Sequence, residues 1–220
     1  MSTRQGGQPR LFIANSDGGG ERILVDQPVS GAGRWSPDGK RIAYLVPSDG
    51  VISLWTIGPD GEDAKQIIQG VDSFDWYLDD RRGVITRQQG THSEMVAVDL
   101  ETGQEQSLFV GPFVEMDVAP DGSAVAFCFG PGHMSMGVAR LKLEPPKEPG
   151  GLPTAKGDPE YVVQADGPWH AHNGGWSWDS KSLVYTRDQD YGDIYELIEM
   201  GSGLEMQHSQ KNDNADIPDF

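Results

Sequence analysis

The sequence is poor in basic side chains, almost free of cysteine and without a long apolar run. Seventeen Lys and Arg stand against 34 Asp and Glu in 220 residues, a net charge of −17. That deficit argues against a nucleic-acid surface or an anionic membrane as partner. It fits a soluble chain, or one that draws cations or basic peptides. The single cysteine, Cys128, excludes an intrachain disulfide. It lies in the run Ala-Val-Ala-Phe-Cys-Phe at 124–129 and reads as a buried, inert thiol. No stretch has the length of a membrane span, so no membrane insertion is expected. Residues 1–10 are polar and show no signal peptide. No Gly-x-Ser-x-Gly elbow occurs, and the glycine run at 18–20 follows no phosphate-binding pattern. No catalytic residue is therefore assigned.

What the chain does have is turn formers and aromatics. Its 29 Gly and 15 Pro suit many short strands, and 6 Trp, 7 Phe and 6 Tyr supply buried area. A repeat orders them. Trp-Ser-Pro-Asp-Gly-Lys-Arg-Ile-Ala-Tyr at 35–44 has counterparts beginning at Trp76, Val118 and Trp176. These anchors lie 41, 42 and 58 residues apart, and the first two intervals match one four-stranded propeller blade. Pro fixes φ at the second turn position, Asp caps the turn and Gly takes the left-handed position, so each unit reads as a hairpin. A second hairpin follows in each repeat: Leu-Trp-Thr-Ile, then Gly-Pro-Asp-Gly, then Lys-Gln-Ile-Ile across 54–68.

The expected fold is all-β: a β-propeller, or propeller arc, of four-stranded antiparallel blades, three complete and two partial. The boundaries are a partial blade at 11–26, blades at 29–69, 71–110 and 113–166, and a partial blade at 169–200. The third complete blade carries an insertion over 144–158, read as a long exposed loop. Residues 201–220 lack a period and read as a disordered tail.

The unit at 35–44 resembles the repeat of TolB-like, or WD40-like, β-propellers, and the resemblance extends over about 11–200. It implies the fold strongly and the function weakly, because such repeats occur in binding modules, peptidase propeller domains and lyases. It also implies a periplasmic or secreted location and six or more blades. Three arrangements account for the smaller number here: a piece of a larger propeller, a small closed ring, or completion through another copy. Open blade edges would invite self-association.

Two constellations bear on function. Trp169, His170, His172 and Asn173 fall on the expected first strand of the last blade. Residues two apart on a strand share a face, so His170 and His172 can hold one divalent transition metal between them. The alternative is that both rings pack against Trp169 and Trp176. His92 and His133, in equivalent loops of the two preceding blades, are candidate further ligands. Acids occupy the other first strands: Asp72 and Asp75 in one blade, Glu115 and Asp117 in the next. They would focus negative potential, or simply cap turns. A third cluster, 187–193 with three Asp, reads as an ordinary hairpin turn rather than a calcium loop.

The primary expectation is a non-enzymatic recognition module without a cofactor. It would bind a protein, peptide or saccharide through Asp75, Glu115, Asp117, Trp169, His170, His172 and Asn173. The alternative is a metal-dependent lyase or hydrolase of the oligogalacturonate type, centred on His170 and His172. A third is the regulatory domain of a larger enzyme.

Overall fold

A computed structural model describes residues 2–5, 8–132, 135–165, 170–189, 192–200 and 205–207. Every regular element of length among them is a strand, and the strands form antiparallel sheets in chain order. The first sheet has three: β1 (Ser2–Gln5), β2 (Gln8–Ile13) and β3 (Arg22–Val25). The second runs β4 (Ser30–Trp35), β5 (Ile42–Ser48), β6 (Val51–Ile57), β7 (Lys65–Gln69). The third runs β8 (Ser73–Trp76), β9 (Arg82–Gln89), β10 (His92–Asp99), β11 (Glu105–Gly111).

The fourth comprises β12 (Phe113–Val118), β13 (Ala124–Phe129) and β14 (Gly137–Glu144), with β15 (Thr154–Ala155) and β16 (Glu160–Val163) both pairing with β14. The last runs β17 (His170–Trp176), β18 (Ser182–Gln189), β19 (Gly192–Glu199), β20 (Glu205–Gln207). These sequential up-and-down sheets are blades of the propeller type, as the repeat predicts. No helix among the described residues is long and apolar enough to cross a membrane.

The turn chemistry of the repeat is visible atom by atom. The Ser36 N–H donates to the Arg41 carbonyl at 2.8 Å and Gly39 N–H to the Ser36 carbonyl at 2.9 Å, which closes the turn between β4 and β5. Gly39 has φ +70°, the conformation for which a glycine is placed there. The same pattern recurs between β17 and β18, where Ser177 N–H meets the Ser182 carbonyl at 2.9 Å.

Three differences from the sequence reading concern short strands. The first sheet begins before the expected start at 11, with β1 pairing with β2. The insertion at 144–158 is not wholly a loop: β15 within it pairs Leu143 with Ala155 and Glu144 with Thr154. The segment expected as a disordered tail contains β20, which pairs with β19 and gives the last sheet a fourth strand. Strands of two or three residues carry no readable alternation; their hydrogen-bonded neighbour defines them. The rest of 201–220 lies outside the described residues.

The chain divides into two compact units, 1–87 with 99–104, and 88–98 with 105–220. The first has a core of Leu11, Val25, Val29, Ile42, Tyr44, Val46 and Ile57, joining the first two sheets. The second buries Ala126, Val138, Ala171, Trp176, Leu183 and Tyr185 between the sheets of β12–β16 and β17–β20. Its other core is aromatic: Phe127 lies 5.3 Å from Phe113 and 5.9 Å from Phe109, ring centre to centre.

Candidate functional site

Within the second unit, β17 packs against β12 and β13. Backbone irregularities in β12 and β17 shape that contact. Val114 pairs with Cys128 and Asp117 with Ala126, so Glu115 and Met116 together face Phe127, which is a β-bulge. Glu115 sits in the left-handed region at φ +56°, uncommon for a residue with a side chain. A second bulge lies in β17, where Asn173 pairs with Tyr185 and Gly175 with Val184. Gly175 takes φ +134°, a backbone conformation that side-chain-bearing residues rarely adopt, and a Cβ there would only touch Asp117 Oδ2 at 3.4 Å.

Asp117 locks the two strands. Its Oδ2 accepts the Trp176 backbone N–H at 2.9 Å, and its carbonyl accepts the Trp176 indole N–H at 3.3 Å. Trp176 is thereby held with 6% of its surface exposed. The first unit repeats the indole contact: Trp76 donates Nε1–H to the Arg34 carbonyl at 3.0 Å. In each case a tryptophan ending the first strand of one sheet binds the first strand of the sheet before it.

Above this lock lies a cluster of three chemically distinct groups. The Cys128 thiol, fully buried on β13, donates to Glu115 Oε2 at 2.9 Å. His172 Nδ1 lies 3.2 Å from both Glu115 oxygens. The Glu115 side chain is 44% exposed and that of His172 21%. The carboxylate thus faces solvent on one side, with thiol and imidazole behind it. The His170 ring, buried, meets the His172 ring edge-on at 5.1 Å. The carboxylate accepts a hydrogen bond from the thiol and stands within hydrogen-bond distance of the imidazole, so the arrangement is equipped for hydrogen bonding, proton exchange or ligation of a cation.

The structure therefore brings together Glu115, Asp117, His170 and His172 in one unit. Asp75 belongs to the other unit, on β8, where its Oδ1 accepts the Trp76 N–H at 2.9 Å. Trp169 and His133 lie outside the described residues, as does the side chain of Asn173. His92 is exposed at the start of β10, its Nδ1 3.1 Å from the Thr91 hydroxyl. The hairpin around 187–193 pairs Gln189 with Gly192 across its turn.

Sequence reasoning missed Cys128 as a member of this cluster. The thiol sits in an unbroken apolar run, and its polar neighbours are 13 and 44 positions away. Only the pairing of β13 with β12 and the packing of β17 brings them together. The available signal was chemical: the only cysteine falls in the same expected blade as the Glu-x-Asp, next to the blade that carries the His-x-His.

No family model matches the sequence. Over 70 residues, 31% of this chain, it is 41% identical to dipeptidyl-peptidase 5 of Porphyromonas endodontalis, covering 10% of that protein. Among solved structures, TolB from Acinetobacter baumannii matches with TM-score 0.74 at 19% identity, over 90% of this chain and 48% of that one. A putative TolB from Agrobacterium tumefaciens gives TM-score 0.69 at 15% identity, over 90% and 79%. Oligogalacturonate lyase in complex with manganese gives 0.62 at 16% identity, over 91% and 59%. The chain thus spans about a tenth of the curated relative and about half of the Acinetobacter TolB. At such identities the structural likeness establishes the fold alone, that of a TolB-like propeller.

Proposed function

We propose that the chain is a non-enzymatic recognition module, binding a protein, peptide or saccharide at the edge where β12 and β17 meet. The observation that supports this reading is the Glu115–His172 pair. A half-exposed carboxylate is fixed by an imidazole at 3.2 Å and seated on a backbone that Asp117 clamps. A preformed, immobile acceptor of this kind binds without the cost of ordering a loose side chain. Its charge, in a chain of net −17, favours the ammonium or guanidinium group of a peptide, with a saccharide hydroxyl as the neutral counterpart. His170, buried behind His172, supports the ring from within.

The test is titration of the full chain with lysine- or arginine-terminated peptides and with neutral and uronate oligosaccharides. Saturable binding to one class, weakened about tenfold by Glu115→Gln, is expected; tenfold corresponds to about 1.4 kcal/mol. Absence of binding to every class, or binding indifferent to that substitution, overturns the reading.

The second reading is a metal-assisted polysaccharide lyase or hydrolase using His170 and His172. The 5.1 Å ring separation and the fold shared with a manganese-bound oligogalacturonate lyase favour it. A cation on the histidines would neutralise a uronate carboxylate, and Glu115 is the adjacent base for the proton next to it. Chain cleavage of a uronate oligomer in the presence of Mn²⁺, with an unsaturated end for a lyase and a saturated one for a hydrolase, and abolished by His170→Ala, is the outcome this reading requires.

A further inference from the structure

We infer that Glu115, Cys128 and His172 form a binding site for one divalent transition-metal ion of the zinc class. Their ligand atoms, a carboxylate oxygen, the thiol Sγ and an imidazole nitrogen, all lie within 4.8 Å of one another. They come from three strands of one unit, β12, β13 and β17, so the site is held by the sheet framework rather than by a loop. The site shares Glu115 and His172 with the recognition reading above but does not rest on it, since metal binding is read without any peptide or saccharide; it shares only His172 with the His170–His172 pair.

The spacing suits a small tetrahedral ion. With Zn–S near 2.3 Å and Zn–N and Zn–O near 2.0–2.2 Å, tetrahedral ligands stand about 3.3–3.6 Å apart. The thiol–carboxylate distance is 2.9 Å and the imidazole–carboxylate distance 3.2 Å. Ligation thus opens the thiol–carboxylate distance by about 0.7 Å and the imidazole–carboxylate distance by about 0.2 Å, and draws the thiol and imidazole, within 4.8 Å, into the same range by side-chain rotation. The hydrogen-bond pattern already marks where the ion goes. The thiol and the imidazole converge on one carboxylate, and the cation takes the place of the thiol proton between them.

Charge and softness select the ion. A buried thiolate beside a carboxylate would be two unbalanced negative charges, so without metal the thiol keeps its proton. Zn²⁺ binding forms the Zn–S bond, expels that proton to solvent and leaves thiolate, carboxylate and dication summing to zero. The imidazole binds as the neutral Nε2–H tautomer, whose Nδ1 lone pair goes to the ion, so the thiol proton is the one released. A thiolate disfavours Ca²⁺ and Mg²⁺, which take all-oxygen sites of higher coordination number. The ion enters from the exposed side of Glu115, where a water completes the fourth position.

The experiment uses the full chain, stripped with chelator and titrated with Zn²⁺ and with Co²⁺ as a spectroscopic substitute. Expected are one ion per chain, release of about one proton per Zn²⁺ below the ordinary thiol pKa of about 8.5, and a thiolate-to-cobalt charge-transfer band. Cys128→Ser and His172→Gln should each weaken binding by about a hundredfold or more, since even partners outside the ligand set cost 10- to 100-fold. His170→Ala should leave the cobalt band in place. The wild-type spectrum suffices if a variant fails to fold. Non-saturable binding, a cobalt complex without the thiolate band, or a site lost with His170 and kept with Ser at 128 would each overturn the inference.

Discussion

Ser36 is buried while its neighbours Trp35 and Pro37 are exposed, and the reason is the two hydrogen bonds its hydroxyl makes. The Oγ donates to Asp38 Oδ1 at 2.7 Å and accepts the Arg41 N–H at 2.9 Å. Ser177 repeats both, with Asp179 at 2.7 Å and Ser182 N–H at 2.9 Å. The Ser36 hydroxyl first, and the Lys40 N–H second, hold the Asp38 carboxyl down at about 2. A carboxyl depressed in the folded state contributes stability above its unfolded pKa, and that contribution disappears as pH falls through the folded value. Ser36→Ala should therefore raise the Asp38 pKa toward 3.8, read by carboxyl-carbon NMR titration. The loss of its stabilising effect should move to correspondingly higher pH. This turn was legible in the sequence, because all its partners lie within five residues. Cys128 was not, because its partner Glu115 is met only through strand pairing.

Strands show the same division. The long ones, with alternating side chains and a turn on each side, fall where the repeat places them; β15 and β20 do not announce themselves. Bulges are equally silent, since Glu115 reads as an ordinary strand residue until the register shift beside it is seen. Close approach can be tested in β9. A Cβ on Gly83 would fall 2.2 Å from Phe74 Cε2 and 2.9 Å from the Asp75 carbonyl. Phe74 cannot yield freely, for it stands edge-on to Trp76 at 5.0 Å and 86°. Gly83→Ala should destabilise by about 1–3 kcal/mol, the usual cost of overpacking, measured by urea unfolding.

Across the whole chain, acids outnumber bases two to one, and mutual repulsion opposes the compact state. Raising NaCl from about 0.01 M to 0.15 M shortens the screening length from about 30 Å to 8 Å. The melting temperature should rise over that range in scanning calorimetry; a fall would mean that attractive pairs such as Arg81–Asp99, at 2.6 Å, outweigh the repulsion. The tryptophan–carbonyl contacts recur in both units, yet Trp35, at the same place on β4, is 51% exposed beside a three-stranded sheet. The left-handed backbone at Glu115 carries a different consequence. Glycine would relax that position by about 1 kcal/mol while deleting the carboxylate. Selecting variants for heat resistance alone would thus discard the group on which the site depends: sturdiness and occupancy pull this one codon in opposite directions.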